Sequence, residues 1–257
     1  MMKDRFVKYS SNKQEIWKNR FTWKGLYGDM PKNSTSIVKF AKDGGLDDID
    51  FQPNVIGLKN TIDKYAVKYV KWVKSKNDTY TEEEYKNMEN FFIGAFGEFF
   101  FMNILQKVKC INAVSLKEGK VVRYVFDYVA LRLKGELDYG VDLTGIVSHG
   151  IDSNNCAIQV KFWNPYSEGI EMTNKVVQSV HSDALCNNFI NNDETENIVI
   201  CWLGNTKQVS KYLKANKHLY KHIIFIDSDA LDKSINNQYL IFWDNFKEEI
   251  KNIKNNY

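Results

Sequence analysis

The chain has 257 residues and a mass of 30.0 kDa, with 44% hydrophobic and 26% charged residues. These proportions exclude a disordered, fibrous or collagen-like chain and are enough for a full hydrophobic core. A net charge of +3 and a pI near 8.4 exclude an overtly basic nucleic-acid binder, so phosphate contacts would rest on distributed lysines, the arginines being only Arg5, Arg20, Arg123 and Arg132.

The chain opens on Met1-Met-Lys-Asp-Arg-Phe6, without the apolar run of a signal peptide. No window reaches the roughly 18 consecutive apolar residues of a spanning helix, so a cytoplasmic protein with no membrane partner is expected. Cys110, Cys156, Cys186 and Cys201 are widely spaced and form no Cys-x-x-Cys pair, which predicts reduced core residues rather than zinc ligands or disulfides.

Residues 1–78 read as an N-terminal extension and a candidate DNA-contacting segment. Within it Trp17, Phe21, Trp23 and Tyr27 alternate with Lys13, Lys18, Arg20 and Lys24. Such interleaving suits base stacking and phosphate neutralisation, but packing of the aromatics onto the main domain is the favoured reading, because most aromatics are core residues. Ile62, Ala66, Tyr69, Val70 and Val73 then predict an amphipathic helix over Thr61 to Lys74. Thr81 followed by Glu84 forms a capping box, and the helix it opens runs to Leu105. Glu98 is its only charge between Asn90 and Leu105. A carboxylate on so apolar a helix points into a polar cleft, takes a structural partner or binds a metal.

A β-branched and aromatic run over Val121 to Leu133 predicts a strand, and the turn through Asp138 leads to a second strand carrying Gly140-Val-Asp142. The segment His149 to Asn155 reads as a hairpin connection back to a third strand, Ala157-Ile-Gln159-Val-Lys161-Phe-Trp163. Side chains alternate across a strand, so Gln159 and Lys161 share a face that Asp142 can meet, while Ile158, Val160 and Phe162 form the inward set. A carboxylate, an amide oxygen and an amine gathered in this way can hold a hard cation with the lysine beside its bound water. A helix around Thr173 to Phe189, a buried strand over Asn197 to Leu203, a helix from Asn205 or Thr206 to about Asn216, a strand over Lys221 to Ile226 and a closing helix over Trp243 to Ile253 follow. The order implies an α/β sheet covered on both faces.

The Glu98-bearing helix, Gly140-Val-Asp142, Gln159-x-Lys161, and then a helix and a buried strand together resemble the PD-(D/E)xK restriction-endonuclease-like superfamily. The nearest resemblance is to its Mrr-like branch, in which glutamine stands in the acidic place of the second motif. It covers about Phe91 to Ile226. It implies a restriction-endonuclease-like core, a central mixed β-sheet flanked by helices, within a nuclease-like domain over 79–257. It also implies Mg²⁺, with Mn²⁺ as substitute, and hydrolysis of double-stranded DNA by a restriction, defence or phage enzyme that could act as a homodimer. On that resemblance Asp142 is the principal metal ligand, Glu98, Gln159 and the Val160 carbonyl complete the metal site, and Lys161 activates the attacking water. Asp138 is the second choice for the first acidic role. A catalytically inert binding or assembly protein on the same fold, or a structure-selective resolvase or repair nuclease, remains an alternative, since Gln159 removes one ligand charge.

Overall fold

A computed structural model describes residue 21 and residues 36–76, 78–108, 110–116, 118–131, 140–162, 174–186, 197–202, 211, 215, 223–226, 228–238 and 241–257, with the backbone alone for 174 and 197–202. In chain order its elements are α1 (Ile37–Lys42), α2 (Val55–Lys76), α3 (Glu82–Lys107), β1 (Cys110–Ser115), β2 (Lys120–Leu131), β3 (Leu143–His149), β4 (Asp152–Lys161), α4 (Asn174–Cys186), β5 (Asn197–Trp202), β6 (Ile223–Ile226), α5 (Ser228–Gln238), α6 (Phe242–Lys251) and α7 (Ile253–Asn256). The architecture is mixed α/β. The chain divides into two compact units, one holding Glu98–Leu240 and the other holding the described residues up to Gly97 together with Ile241–Tyr257.

In the helical unit α2, α3 and α6 form where the sequence predicts helices, with different ends, and α1 is a helix that the weak periodicity of the first part of the chain does not predict. α2 starts at Val55 rather than Thr61 because Asn54 caps it, its Oδ1 accepting from the Gly57 N–H at 2.7 Å. Its buried face, Leu58, Ile62, Tyr65, Ala66, Tyr69 and Val73, follows the expected three- and four-residue spacing. At the start of α3 the Thr81 N–H donates to Glu84 Oε2 at 2.7 Å and the Glu84 N–H donates to Thr81 Oγ1 at 3.2 Å, which is the capping box. Three glutamates in the first turn also complement the positive end of the helix dipole. Tyr69, Phe92 and Phe96 pack ring to ring, with centroids 5.2 Å apart for the first pair and 4.6 Å for the second. Phe21 is fully buried and its ring lies 5.8 Å from that of Phe96, so this aromatic packs the core. Trp17, Trp23 and Tyr27 lie outside the described residues.

The sheet unit is built on six strands. β1, β2, β3 and β4 pair antiparallel in sequence order, β4 and β5 pair parallel, and so do β5 and β6. β6 then pairs antiparallel with β1 through Val114 and Phe225 and through Ser115 and Ile224, closing the strands into a ring. The sequence reading has a sheet with two covered faces and three strands ahead of α4. The structure adds β1 and the closure, neither of which a short run such as Cys110–Ser115 announces without its partners. The β3–β4 hairpin is also tighter than expected. Its strands continue to His149 and from Asp152, leaving Gly150 and Ile151 as the turn, and Gly150 takes the left-handed conformation the turn requires at φ +65°. The helix expected from Asn205 or Thr206 lies almost wholly outside the described residues.

One apolar cluster joins Val177, Val180 and Ala184 of α4 to Val141, Ala157 of β4, Leu116, Ile223 and Phe225. On α3, the Phe100 ring lies 6.2 Å from that of Phe162. β4 runs between β3 and β5, and every residue from Cys156 to Val160 is buried. The alternation expected of β4, with Ile158, Val160 and Phe162 alone facing inward, is therefore replaced by burial of both faces. Of the cysteines, Cys156 is a core residue, Cys110 is half-buried and Cys186 is exposed, so the expectation of core cysteines fails at Cys186, on the last turn of α4.

Candidate metal and phosphodiester site

The site begins where the chain enters β3. Gly140 sits at φ +144°, a conformation that side chains rarely adopt. A Cβ there would lie 3.0 Å from Gln159 Oε1 and 3.4 Å from Ser179 Oγ. Glycine is thus needed twice over, for the backbone angle and for the close approach of β4 and α4. The next residue, Val141, donates its N–H to Asp183 Oδ2 at 2.8 Å, and the Asp142 N–H donates to the Ile158 carbonyl at 2.8 Å. These bonds deliver Asp142 to the end of the β3–β4 ladder.

The Asp142 side chain turns onto β4. Its Oδ2 accepts the Val160 N–H at 2.7 Å and a hydrogen bond from Gln159 Nε2. Hydrogen bonds to a charged acceptor are the stronger kind, so they hold the carboxylate in one orientation. Asp142 is 7% exposed and Gln159 5% exposed, which makes this a built interior arrangement rather than a solvated strand face. The facing of Asp142 and Gln159 predicted from strand alternation is what the hairpin delivers. Lys161 closes β4 two residues beyond Gln159, is half-buried, and makes no side-chain hydrogen bond or ion pair among the described residues. Glu98 is 5% exposed on α3, within the same compact unit. Val160 takes part through its N–H. Asp138 lies outside the described residues.

The donor set can be weighed against a hard divalent cation. Oδ2 of Asp142 is occupied by two N–H donors. Gln159 presents its nitrogen to Asp142 and would offer its oxygen to the same cation only with the amide turned over. Among the described residues no three His, Cys, Asp or Glu side chains gather as a ligand group. A hard cation such as Mg²⁺ takes one or two carboxylates and completes its octahedron with water and phosphate oxygens, whereas other cations need an all-protein cage.

Asp183 is the residue that sequence reasoning missed. At 1% exposed it is the most buried carboxylate among the described residues. Its signal was of the same kind as that of Glu98: a lone acid on an otherwise apolar helix face, here within the Val177, Val180 and Ala184 stripe. His149 and His181 are exposed. Among the described residues no helix is long and apolar enough to cross a membrane. Comparison of the chain with family models, with curated proteins and with solved structures yields no match.

Proposed function

We propose that the chain is a Mg²⁺-dependent endonuclease that hydrolyses phosphodiester bonds in double-stranded DNA, as a restriction, defence or phage nuclease does. The observation that carries this reading is the bonding of the Asp142 carboxylate to Gln159 and to the Val160 N–H, with Lys161 at the end of the same strand. The succession of α3, antiparallel strands, α4 and the parallel β5 agrees in part with the order that the motifs resemble, and departs from it in having four antiparallel strands, β1 to β4, and in the return of β6 to β1.

Asp142 and Glu98, with oxygens of Gln159 and Val160, are the groups that would hold Mg²⁺ or Mn²⁺. Such a cation, when bound, supplies charge stabilisation at the phosphoryl oxygens. Lys161 orients the attacking water and offsets negative charge on the phosphate. Burial of Asp142 and Gln159 keeps bulk water from competing with these contacts.

Incubation of the purified protein with plasmid and Mg²⁺ at low salt tests the reading, low salt being needed because phosphate-driven binding falls steeply with ionic strength. Cleavage that Lys161→Ala abolishes is the expected result. Plasmid left intact across several substrates, or cleavage indifferent to Lys161→Ala, would overturn it. One observation favours a second reading, an inert nucleic-acid-binding protein: the Gln159 amide is already committed to Asp142 as a donor. Calorimetry with Mn²⁺ separates the two. Binding that Asp142→Ala removes supports the enzyme, and no binding by the wild type supports the inert protein.

A further inference from the structure

We infer that Asp183 is a positioning residue: from α4 it anchors the backbone ahead of β3 so that the Asp142 carboxylate stays against the Val160 N–H and the Gln159 amide. The inference rests on the reading of Asp142 as the working carboxylate and adds a residue to that site.

Three consecutive residues are involved. Gly140 has no side chain with which to fix itself, and its backbone is the most permissive of any residue. Val141 is the first point after it at which the chain is held, by the 2.8 Å bond from its N–H to Asp183 Oδ2. Asp142 is then held by its own N–H on the Ile158 carbonyl and by its carboxylate on the Val160 N–H. The Asp183 anchor adds to the packing of the Val141 side chain and limits rotation of the peptide before Asp142 about Gly140, rotation that would carry the carboxylate with it.

A carboxylate buried beside Val177, Val180 and Ala184 is costly. What the charge adds is a stronger and more directional bond. Outer-shell partners of this kind orient a ligand without touching the metal, and their loss typically weakens metal binding by about 10- to 100-fold.

The Val160 amide makes the coupling measurable without any metal, because its N–H is bonded to Asp142 and the bond that Asp183 accepts comes from Val141. Amide hydrogen exchange at Val141 and Val160 in the full chain, combined with Mn²⁺ calorimetry, tests the inference in Asp183→Ala and Asp183→Asn. Asp183→Ala is expected to speed exchange at both amides and to weaken Mn²⁺ binding by about tenfold or more. Asp183→Asn, which retains an acceptor oxygen, is expected to restore most of the Val160 protection. If Asp183→Ala does not fold, Asp183→Ser, whose shorter side chain withdraws the acceptor from Val141, serves in its place. Faster exchange at Val141 with Val160 and Mn²⁺ affinity unchanged would overturn the inference and leave Asp183 a structural cap. Coupled loss at Val160 in a protein that binds no Mn²⁺ even as wild type would support the positioning and defeat the metal reading, so the two failures are distinct.

Discussion

The helical unit and the sheet unit bury polar groups on different plans. Among the described residues the helical unit buries two, Ser36 and Lys59, whereas the sheet unit buries nine, among them Glu98, Asp142, Gln159 and Asp183. Each of the two has a local structural use. Ser36 caps α1 by accepting the Lys39 N–H, and Lys59 pairs with Asp63 one turn along α2. In the sheet unit Asp142 and Asp183 instead accept backbone N–H groups from segments far away in sequence and converge on one strand end. Interior polar groups are costly to desolvate, so the meeting of Asp183, Asp142 and Gln159 about the start of β3 marks where geometry matters more than stability. The aromatic core of Tyr69, Phe92 and Phe96 is the opposite case, a region organised by packing alone.

The comparison can be broken by substitutions that exchange the expected effects. Asp142→Asn preserves shape and should lower DNA cleavage by about 100-fold or more with little change in the denaturation midpoint, as expected of a group whose role is charge. Phe92→Ala should do the reverse, costing about 3–5 kcal/mol in chemical denaturation while cleavage per folded molecule is unchanged. A Phe92→Ala protein that is fully stable yet inactive would erase the distinction. Gly140→Ala sharpens it from inside the site. The strained φ and the approach to Gln159 Oε1 should cost about 1–3 kcal/mol, and the displaced amide should lower Mn²⁺ affinity in the same protein.

The smallest effect is the acid response of the helical unit. Hydrogen bonds from Lys68 and Tyr65 hold the Asp48 carboxyl below its ordinary value of 3.8, hydrogen bonds from Trp72 and Lys76 do the same for Asp43, and one from Lys247 does so for Asp50. A carboxyl depressed in the folded state contributes stability above its unfolded value and loses that contribution as pH falls through the folded one. Stability should therefore be level above about pH 5 and decline below 4, and Asp48→Asn should flatten that decline slightly. Thermal unfolding followed between pH 6 and 3 measures both. A decline that Asp43→Asn, Asp48→Asn and Asp50→Asn together leave untouched would assign the acid response to other groups.

Much of the site was legible because its geometry is local. Strand alternation and a short connection between Asp142 and Gln159 suffice to bring them together, and the capping box at Thr81 needs only four residues. Burial of Gln159 was not legible, since Gln-x-Lys reads as a solvated face until β5 and α4 cover β4. Asp183 was missed for the same reason: forty-two residues separate it from Val141, and no periodicity within α4 indicates which backbone N–H its carboxylate meets.

What the sequence determined by itself was most of the local elements, though not α1, β1 or α5, together with the pairing of Asp142 with the Gln159 strand and the lone carboxylate on α3, all consequences of period, turn chemistry and propensity over short spans. Only the tertiary structure decided that β6 returns to β1 and closes the strands, that α6 and α7 belong with the helices preceding Gly97, and that a carboxylate on α4 holds the backbone next to Asp142. These are contacts between segments distant in the chain. They are set by which apolar faces bury one another and by where a buried N–H must find an acceptor, and neither quantity is defined until the whole chain has folded.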